Sequence, residues 1–257
     1  QRRLIRQAEF LEPFHHAGID LSGCARVLEI GCGVGAQMRI LLRRWPGLHV
    51  TGVDRSTTQL AAARVVVAAE LAAGRAVLVE APAERLPLAD AGFDAVCIFW
   101  VFEHLGDPRP ALAEARRVLR SGGRVWITEV FDRALYVHPP CPNMASYFAA
   151  FTRLQGELGG DPDIGVRVPG LLAQAGFTGI VLRDVSPLLD ARMTDPVDRV
   201  RFIDYFRDLL LSGAAQLLAR NAIGPSTVAG MATEFAALAV DPAAVFHYGA
   251  KQITAVR

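Results

Sequence analysis

Short apolar runs alternate along this chain with longer stretches whose apolar residues recur at helical spacing. Val27, Leu28 and Ile30 read as a buried strand, interrupted by one acid, Glu29. Gly31, Gly33 and Gly35 follow as a turn, and a helix runs from Val34 to Trp45, stopped by Pro46-Gly47. His49 to Asp54 is a second strand that ends on an acid. Ser56 then caps a helix expected to reach Ala73, with Gly74 as its stop. Further strands are expected at 76–80, 93–99 and 124–130, with an irregular Pro-containing stretch at 81–91 and a helix over 108–119. Beyond Phe131 the rhythm breaks. Prolines 139, 140, 142 and 162, together with Tyr136, Tyr147, Phe148 and Phe151, suggest a loop-and-helix excursion over 132–163. A helix at 165–175, a strand at 178–185, two or three helices within 190–240 and a last strand at 245–256 complete the chain. Ahead of it all, Leu4, Ile5, Ala8 and Leu11 mark an amphipathic leading helix over 2–17.

Strands alternating with helices imply a mostly parallel sheet covered on both faces, with ligand-facing loops at the carboxyl ends of the strands. At 257 residues one embellished domain is expected, its core over about 20–131, 164–188 and 244–257. The leading helix 1–18, the excursion 132–163 and the insertion 190–240 are read as an acceptor-side lid. For the apolar helical face of Phe202, Ile203, Phe206, Leu209 and Leu210, the alternatives are packing on the core and a homodimer interface. A net charge of +1 gives no electrostatic case for nucleic acid. The most apolar run, 60–73, is broken by Arg64 and Glu70, so no integral membrane segment is expected. The first residues carry charge with no apolar core behind them, unlike a secretory signal, and a start at Gln1 reads as a chain missing a few residues. Cys24, Cys32, Cys97 and Cys141 lack zinc-like spacing; reduced thiols, a cytoplasmic setting and no metal are the expectation. Lys251 is the sole lysine, and the Arg, Ala, Val and Leu bias suggests a GC-rich bacterial genome.

A strand, a glycine turn and an acid closing the next strand suit either a dinucleotide or S-adenosylmethionine. In both cases Asp54 would accept from ribose hydroxyls. Glycine spacing leaves both open. Glu29 favours the second, because a carboxylate repels a pyrophosphate and attracts an ammonium.

Val27-Leu-Glu-Ile-Gly-Cys-Gly-Val-Gly35 resembles the first motif of class I S-adenosylmethionine-dependent methyltransferases, and Val50-Thr-Gly-Val-Asp54 their second-strand acid motif. Ala83-Glu84-Arg-Leu-Pro87, Val101-Phe-Glu-His104-Leu and Val118-Leu-Arg-Ser-Gly-Gly-Arg-Val125 are similar to later motifs of the ubiquinone/menaquinone-biosynthesis-like subgroup. The resemblance covers about 20–185. It implies a Rossmann-like, doubly wound sheet of seven strands, mostly parallel with an antiparallel last strand, plus helical lid insertions. It also implies cofactor contacts from Gly31, Gly33 and Gly35, from Glu29 on the ammonium or ribose side, from Asp54 and from Arg55 along the adenine. The Ala83 amide would meet the ring, and Phe99 would lie beneath the methionine group. One departure stands out: Pro82 occupies the position where the family has an Asp for the adenine amino group, a contact Glu84 could take over.

Methyl transfer needs a base only when the acceptor is a hydroxyl, a ring nitrogen or an acidic carbon. His104, which also borders the cofactor positions, Glu129 and His138 are the candidates, with Asp132 as an alternative orienting acid. For each, a structural hydrogen bond or loop cap is the competing role. Trp100, Tyr136, Tyr147 and Phe206 are expected to line the acceptor pocket. His15-His16 and His247-Tyr248 are read as surface or packing residues. The expected activity is methyl transfer to oxygen or carbon of a small, fairly apolar metabolite in bacterial specialised metabolism. The rivals are an NAD(P)-dependent oxidoreductase and a family member that binds cofactor without transferring methyl.

Overall fold

The computed structural model describes residues 2–257. In chain order its elements are α1 (Arg2–His15), β1 (Arg26–Ile30), α2 (Ala36–Arg44), β2 (His49–Asp54), α3 (Thr57–Val66), α4 (Ala68–Ala72), β3 (Ala76–Glu80), β4 (Phe93–Phe99), α5 (Arg109–Val118), β5 (Leu119–Val130), β6 (Tyr136–His138), α6 (Pro142–Glu157), α7 (Ile164–Gln174), β7 (Thr178–Asp184), β8 (Leu188–Leu189), α8 (Pro196–Leu210), α9 (Ala214–Ala219), α10 (Pro225–Val240), β9 (Val245–His247) and β10 (Ala250–Val256). They form two compact units, one of Gln1–Val130, Asp163–Val185 and Ala250–Arg257, the other of Phe131–Pro162 and Ser186–Gly249.

The first unit is built on a seven-stranded sheet in the order β3-β2-β1-β4-β5-β10-β7. β10 runs antiparallel to both of its neighbours and the other pairings are parallel. Strand order reverses at β1, where one crossover leads to β2 and the sheet continues to β4 on the other side; ligands bind at such switch points in open α/β sheets. β1 and β4 are central and buried on both faces, which accounts for their nearly continuous apolar sequence. Arg39 and Arg43 of α2 reach Glu9 and Glu12 of α1, and Ala8 packs with Val34, Ala36 and Ile40. At the opposite end of β1, Asp94 Oδ2 accepts from the amides of Ala25 and Arg26 at 2.7 and 2.8 Å.

In the second unit α10 packs against α8 and α6, beside a small sheet β6-β9-β8. Its core is aromatic: Tyr147, Phe202, Phe206, Phe235 and Phe246 are all fully enclosed. Glu234 caps α6, accepting from the amides of Asn143 and Met144 and from Asn143 Nδ2, each at 2.8 Å. The buried Arg199 donates to the carbonyls of Asp190, Met193 and Asp241.

Three expectations need correction. The strand expected at 245–256 is two strands in two different sheets, β9 and β10, separated at Tyr248-Gly249. A Cβ at Gly249 would lie 2.1 Å from the Phe131 carbonyl oxygen, so the separation needs glycine. The helix capped by Ser56 does not run through to Ala73. It breaks at Val67, whose φ of −113° and ψ of 31° leave the helical region. Lastly, β5 begins at Leu119, not Arg124, and absorbs the expected turn as an irregularity in its pairing with β4.

Candidate functional site

The turn between β1 and α2 is held by its backbone. The amides of Gly31 and Cys32 both donate to the Val53 carbonyl, at 2.7 and 2.9 Å, which ties the turn to β2. Gly33 donates to Asp54 Oδ2 at 2.9 Å, and the Ser56 amide donates to Asp54 Oδ1 at 2.8 Å. Asp54 thus joins the glycine turn to the start of α3, and each of its oxygens keeps a lone pair for a ligand hydroxyl. All three glycines have positive φ, between 50° and 75°. A Cβ on Gly31 would come 2.3 Å from Val101 Cγ2, and one on Gly35 3.1 Å from Ala63 Cβ. One on Gly33 would meet nothing within 4 Å, so that backbone is bare toward open space, as close approach of a ligand requires.

Glu29 lies within the buried part of β1, and among the described residues its Oε2 has no hydrogen-bond partner. Burial, with the nearby Asp54 charge adding to it, raises its carboxyl well above the usual carboxylate range. An unpartnered buried acid beside a bare glycine turn suits a cationic group and is hostile to a pyrophosphate. These residues therefore fit the methionine end of S-adenosylmethionine.

Beyond Asp54, its carbonyl accepts from the Ala81 amide at 3.1 Å, and Arg85 N–H closes a turn on the Pro82 carbonyl at 3.2 Å. Ala83 is half-buried in this turn, while Arg55 and Glu84 are exposed. At the end of β4, Phe99 is buried and Trp100 takes a left-handed φ of 59°, unusual for a bulky side chain. Glu129, fully buried on β5, accepts from the amides of Val101 (2.9 Å), Phe102 (2.7 Å) and Glu103 (3.4 Å). Burial pushes its carboxyl up to about 8, against the pull of those amides. His104 is largely exposed, its Nε2 3.8 Å from Glu103 Oε1. The first unit thus brings together Glu29, Gly31, Gly33, Gly35 and Asp54, with Phe99, Trp100 and Glu129 at the ends of β4 and β5. His138, Tyr136, Tyr147, Phe206 and Asp132 belong to the second unit. There Tyr136 and His138 are exposed on β6, and Asp132 is buried. Tyr147 donates its hydroxyl to the Leu210 carbonyl at 2.5 Å, and Phe206 packs against Phe202, Phe246 and Tyr248.

A family profile described as a methyltransferase domain matches residues 28–127, from the middle of β1 into β5. An O-methyltransferase of Aspergillus nomiae is 31% identical over 160 residues, which cover 62% of this chain and 67% of that protein. A ubiquinone/menaquinone biosynthesis C-methyltransferase of Geobacter sulfurreducens is 32% identical over 178 residues, again 62% of this chain and 67% of that one. The chain belongs to the class I S-adenosylmethionine-dependent methyltransferases, in the ubiquinone/menaquinone-biosynthesis-like subgroup. Among solved structures, the methyltransferase resembles phosphoethanolamine N-methyltransferase 2 of Haemonchus contortus, with TM-score 0.60 and 21% identity over 98% of this chain and 52% of that one. It also resembles the cyclase SpnF, with TM-score 0.59 and 22% identity over 98% and 81%. Such distant likeness speaks to the fold, and the second neighbour shows that the fold also carries other chemistry.

Sequence reasoning left one part of the methyltransferase undervalued. His15 and His16 are packing residues, but packed at the ends of β4 and β10, against Trp100, Phe99 and Gln252. A signal existed: Ala8, Leu11 and His15 lie on one stripe of the leading helix, so a polar residue takes a place on its buried face.

Proposed function

We propose that the methyltransferase moves the methyl group of S-adenosylmethionine to an oxygen or carbon of a small, fairly apolar metabolite in the bacterial cytoplasm, as part of specialised metabolism. The observation that carries the cofactor half is Glu29, a buried acid at the glycine turn whose Oε2 has no partner among the described residues. The acceptor half is supported by relatives named as an O-methyltransferase and as C-methyltransferases. Four unpaired cysteines accord with a reducing compartment.

The sulfonium charge disperses as the methyl leaves, so the chain's task is to hold donor and acceptor in attack geometry and keep water away. When bound, the cofactor supplies the electrophilic methyl carbon. Gly31, Gly33 and Gly35 present bare backbone to its methionine part, Glu29 meets its ammonium and Asp54 its ribose; Arg55, Ala83 and Glu84 frame the adenine side. His104 and His138 remain the proposed bases, both exposed. Glu129 acts by positioning the turn after β4. Acceptor discrimination is assigned to the second unit, through Tyr136, Tyr147 and Phe206, and to Trp100 in the first.

The test is incubation with methyl-labelled cofactor and a panel of phenolic, enolic and quinol acceptors, beside equilibrium binding of S-adenosylhomocysteine and of NADH. Label transfer with micromolar or tighter S-adenosylhomocysteine binding supports the proposal. Binding of NADH in its place overturns it, and tight binding with no transfer across the panel leaves a cofactor-binding member of the family.

A further inference from the structure

α1 ends at His15, His16 follows it directly, and both side chains are inside the first unit, 1% and 0% exposed. The His15 ring lies 4.8 Å from that of Trp100. His16 stacks on Phe99 with centroids 5.1 Å apart, and its Nε2 pairs with Gln37 Oε1 of α2 at 2.6 Å. From β10, Gln252 Nε2 donates to the His15 carbonyl at 2.5 Å. The end of α1 is thus held by α2, by β10 and by the end of β4. Further back along the helix the contacts change character. Glu9 and Glu12 pair with Arg39 and Arg43 at the surface, where ion pairs contribute little. Pro13, inside the helix, supplies no N–H to the turn before it, which leaves a weak point just ahead of the two histidines.

Such a buried pair is tolerated only while it is neutral. An imidazolium donates from both ring nitrogens. Among the described residues, both nitrogens of His15 and Nδ1 of His16 are buried without a partner to receive those protons. The charged groups around the pair are mostly cations. Arg43 and Arg44 lie on α2, and Arg183 on β7 donates from Nη1 to the Gly18 carbonyl at 3.4 Å. They are opposed by Glu12, which is already paired with Arg43. From β4 and β10 the rings meet Phe99, Trp100 and Gln252, none of which carries charge. Burial, with His16 adding to it, lowers His15 to about 3, and burial lowers His16 to about 4 against the pull of Gln37. Once exposed to water, each ring returns to about 6.5. Docking of the neutral pair is therefore at full strength above 6.5. It weakens as pH falls from there toward 4 and then 3, because the released segment takes up protons that the docked one refuses.

We propose that His15 and His16 form an acid-sensitive latch: protonation of the pair releases the end of α1 from β4 and β10 while the seven-stranded sheet stays folded. Release uncovers Phe99 and Trp100 at the end of β4, against which the rings are stacked. Hydrogen exchange of the full chain, read as protection factors so that the intrinsic pH dependence of exchange cancels, tests the latch without any ligand. Between pH 7.5 and 5 the opening constant of α1 should rise about 30-fold for each histidine, since the docked rings stay neutral and the released ones take up a proton. Protection of β1 and β4 should hold over the same interval. The double variant His15→Leu/His16→Gln, in which the glutamine keeps a donor for Gln37, should show no such rise. Circular dichroism at pH 7.5 shows whether each variant is folded. If the double variant is not, the single variants decide, each expected to lose about half of the logarithmic rise. Level protection of α1 between pH 7.5 and 5 overturns the latch. So does protection that falls only in step with β1 and β4, or a rise that persists in the variants. The methyltransferase reading is independent of each of these outcomes.

Discussion

Glu29 carries two opposed demands. Without a ligand, burial and then the Asp54 charge favour the neutral form of its carboxyl, and with a cationic ligand it is worth most when ionised. Cofactor binding should therefore release a proton from it. Titrating S-adenosylhomocysteine in two buffers of different ionisation enthalpy at one pH should reveal that release, and Glu29→Gln should abolish it while weakening binding about 10- to 100-fold, the range of a hydrogen bond to a charged group. The sign for stability follows from the raised folded pKa. The unfolded chain ionises near 4.5 and the folded chain only well above it, so the stabilisation of the protonated form is complete below 4.5 and is lost as pH rises through the folded value. Urea midpoints of wild type should fall relative to Glu29→Gln over that interval; parallel profiles would place Glu29 in an ordinary solvated setting. Asp54 is a simpler case. Its oxygens already hold the Gly33 and Ser56 amides, so Asp54→Ala should weaken cofactor binding by about 1.5–3 kcal/mol and lower stability as well. Unchanged affinity would remove it from the ribose position.

At the level of elements, the turn after β4 hangs from one buried side chain. Glu129 Oε1 accepts from both Val101 and Phe102, and Oε2 lies 3.4 Å from the Glu103 amide. Glu129→Ala leaves those amides unpaired and opens a small void, for an expected loss of about 2–4 kcal/mol by chemical denaturation. Glu129→Gln keeps an acceptor for the two short bonds and should cost well under half as much. A similar loss in both variants would point to the charge and not to the amides. This pin was half-legible in the sequence. An acid closing β5 suggested the site's rim, but three amides converging on it depend on how Trp100 turns the chain, and that left-handed residue has no local signature. The strands and helices of the first unit were legible because each carries its own period and stop signals, with Ser56 and Gly74 bounding one helical stretch. The break at Val67 was not, since three valines lower helix propensity only slightly and no Gly or Pro marks where the helix stops. Nor was the division of 245–256 into two sheets, which turns on the crowding of Gly249 against Phe131.

The whole molecule interleaves its two units along the chain. The second is assembled from an insertion after β5 and another after β7, and no local pattern in either announces that α6, α8 and α10 share one core. Aromatic residues spaced for two separate helices were legible as apolar faces, but which faces would meet was not. Every residue assigned to the cofactor lies in the first unit, and most of those assigned to the acceptor lie in the second. Phe206 offers a way to disturb one without the other. It is fully buried among Phe202, Phe246 and Tyr248, so Phe206→Ala should remove about 3–5 kcal/mol from the second unit's core. If the units are separable in stability, hydrogen exchange should quicken in α6, α8 and α10 and stay slow in β1, β4 and β5. S-adenosylhomocysteine affinity should remain within about 2-fold, since none of its proposed ligands is touched, while turnover of any acceptor found falls at least 10-fold. Loss of cofactor affinity in step with turnover would show that the second unit supports the cofactor site as well, and acceptor selection would then have to be sought among Trp100 and its neighbours in the first.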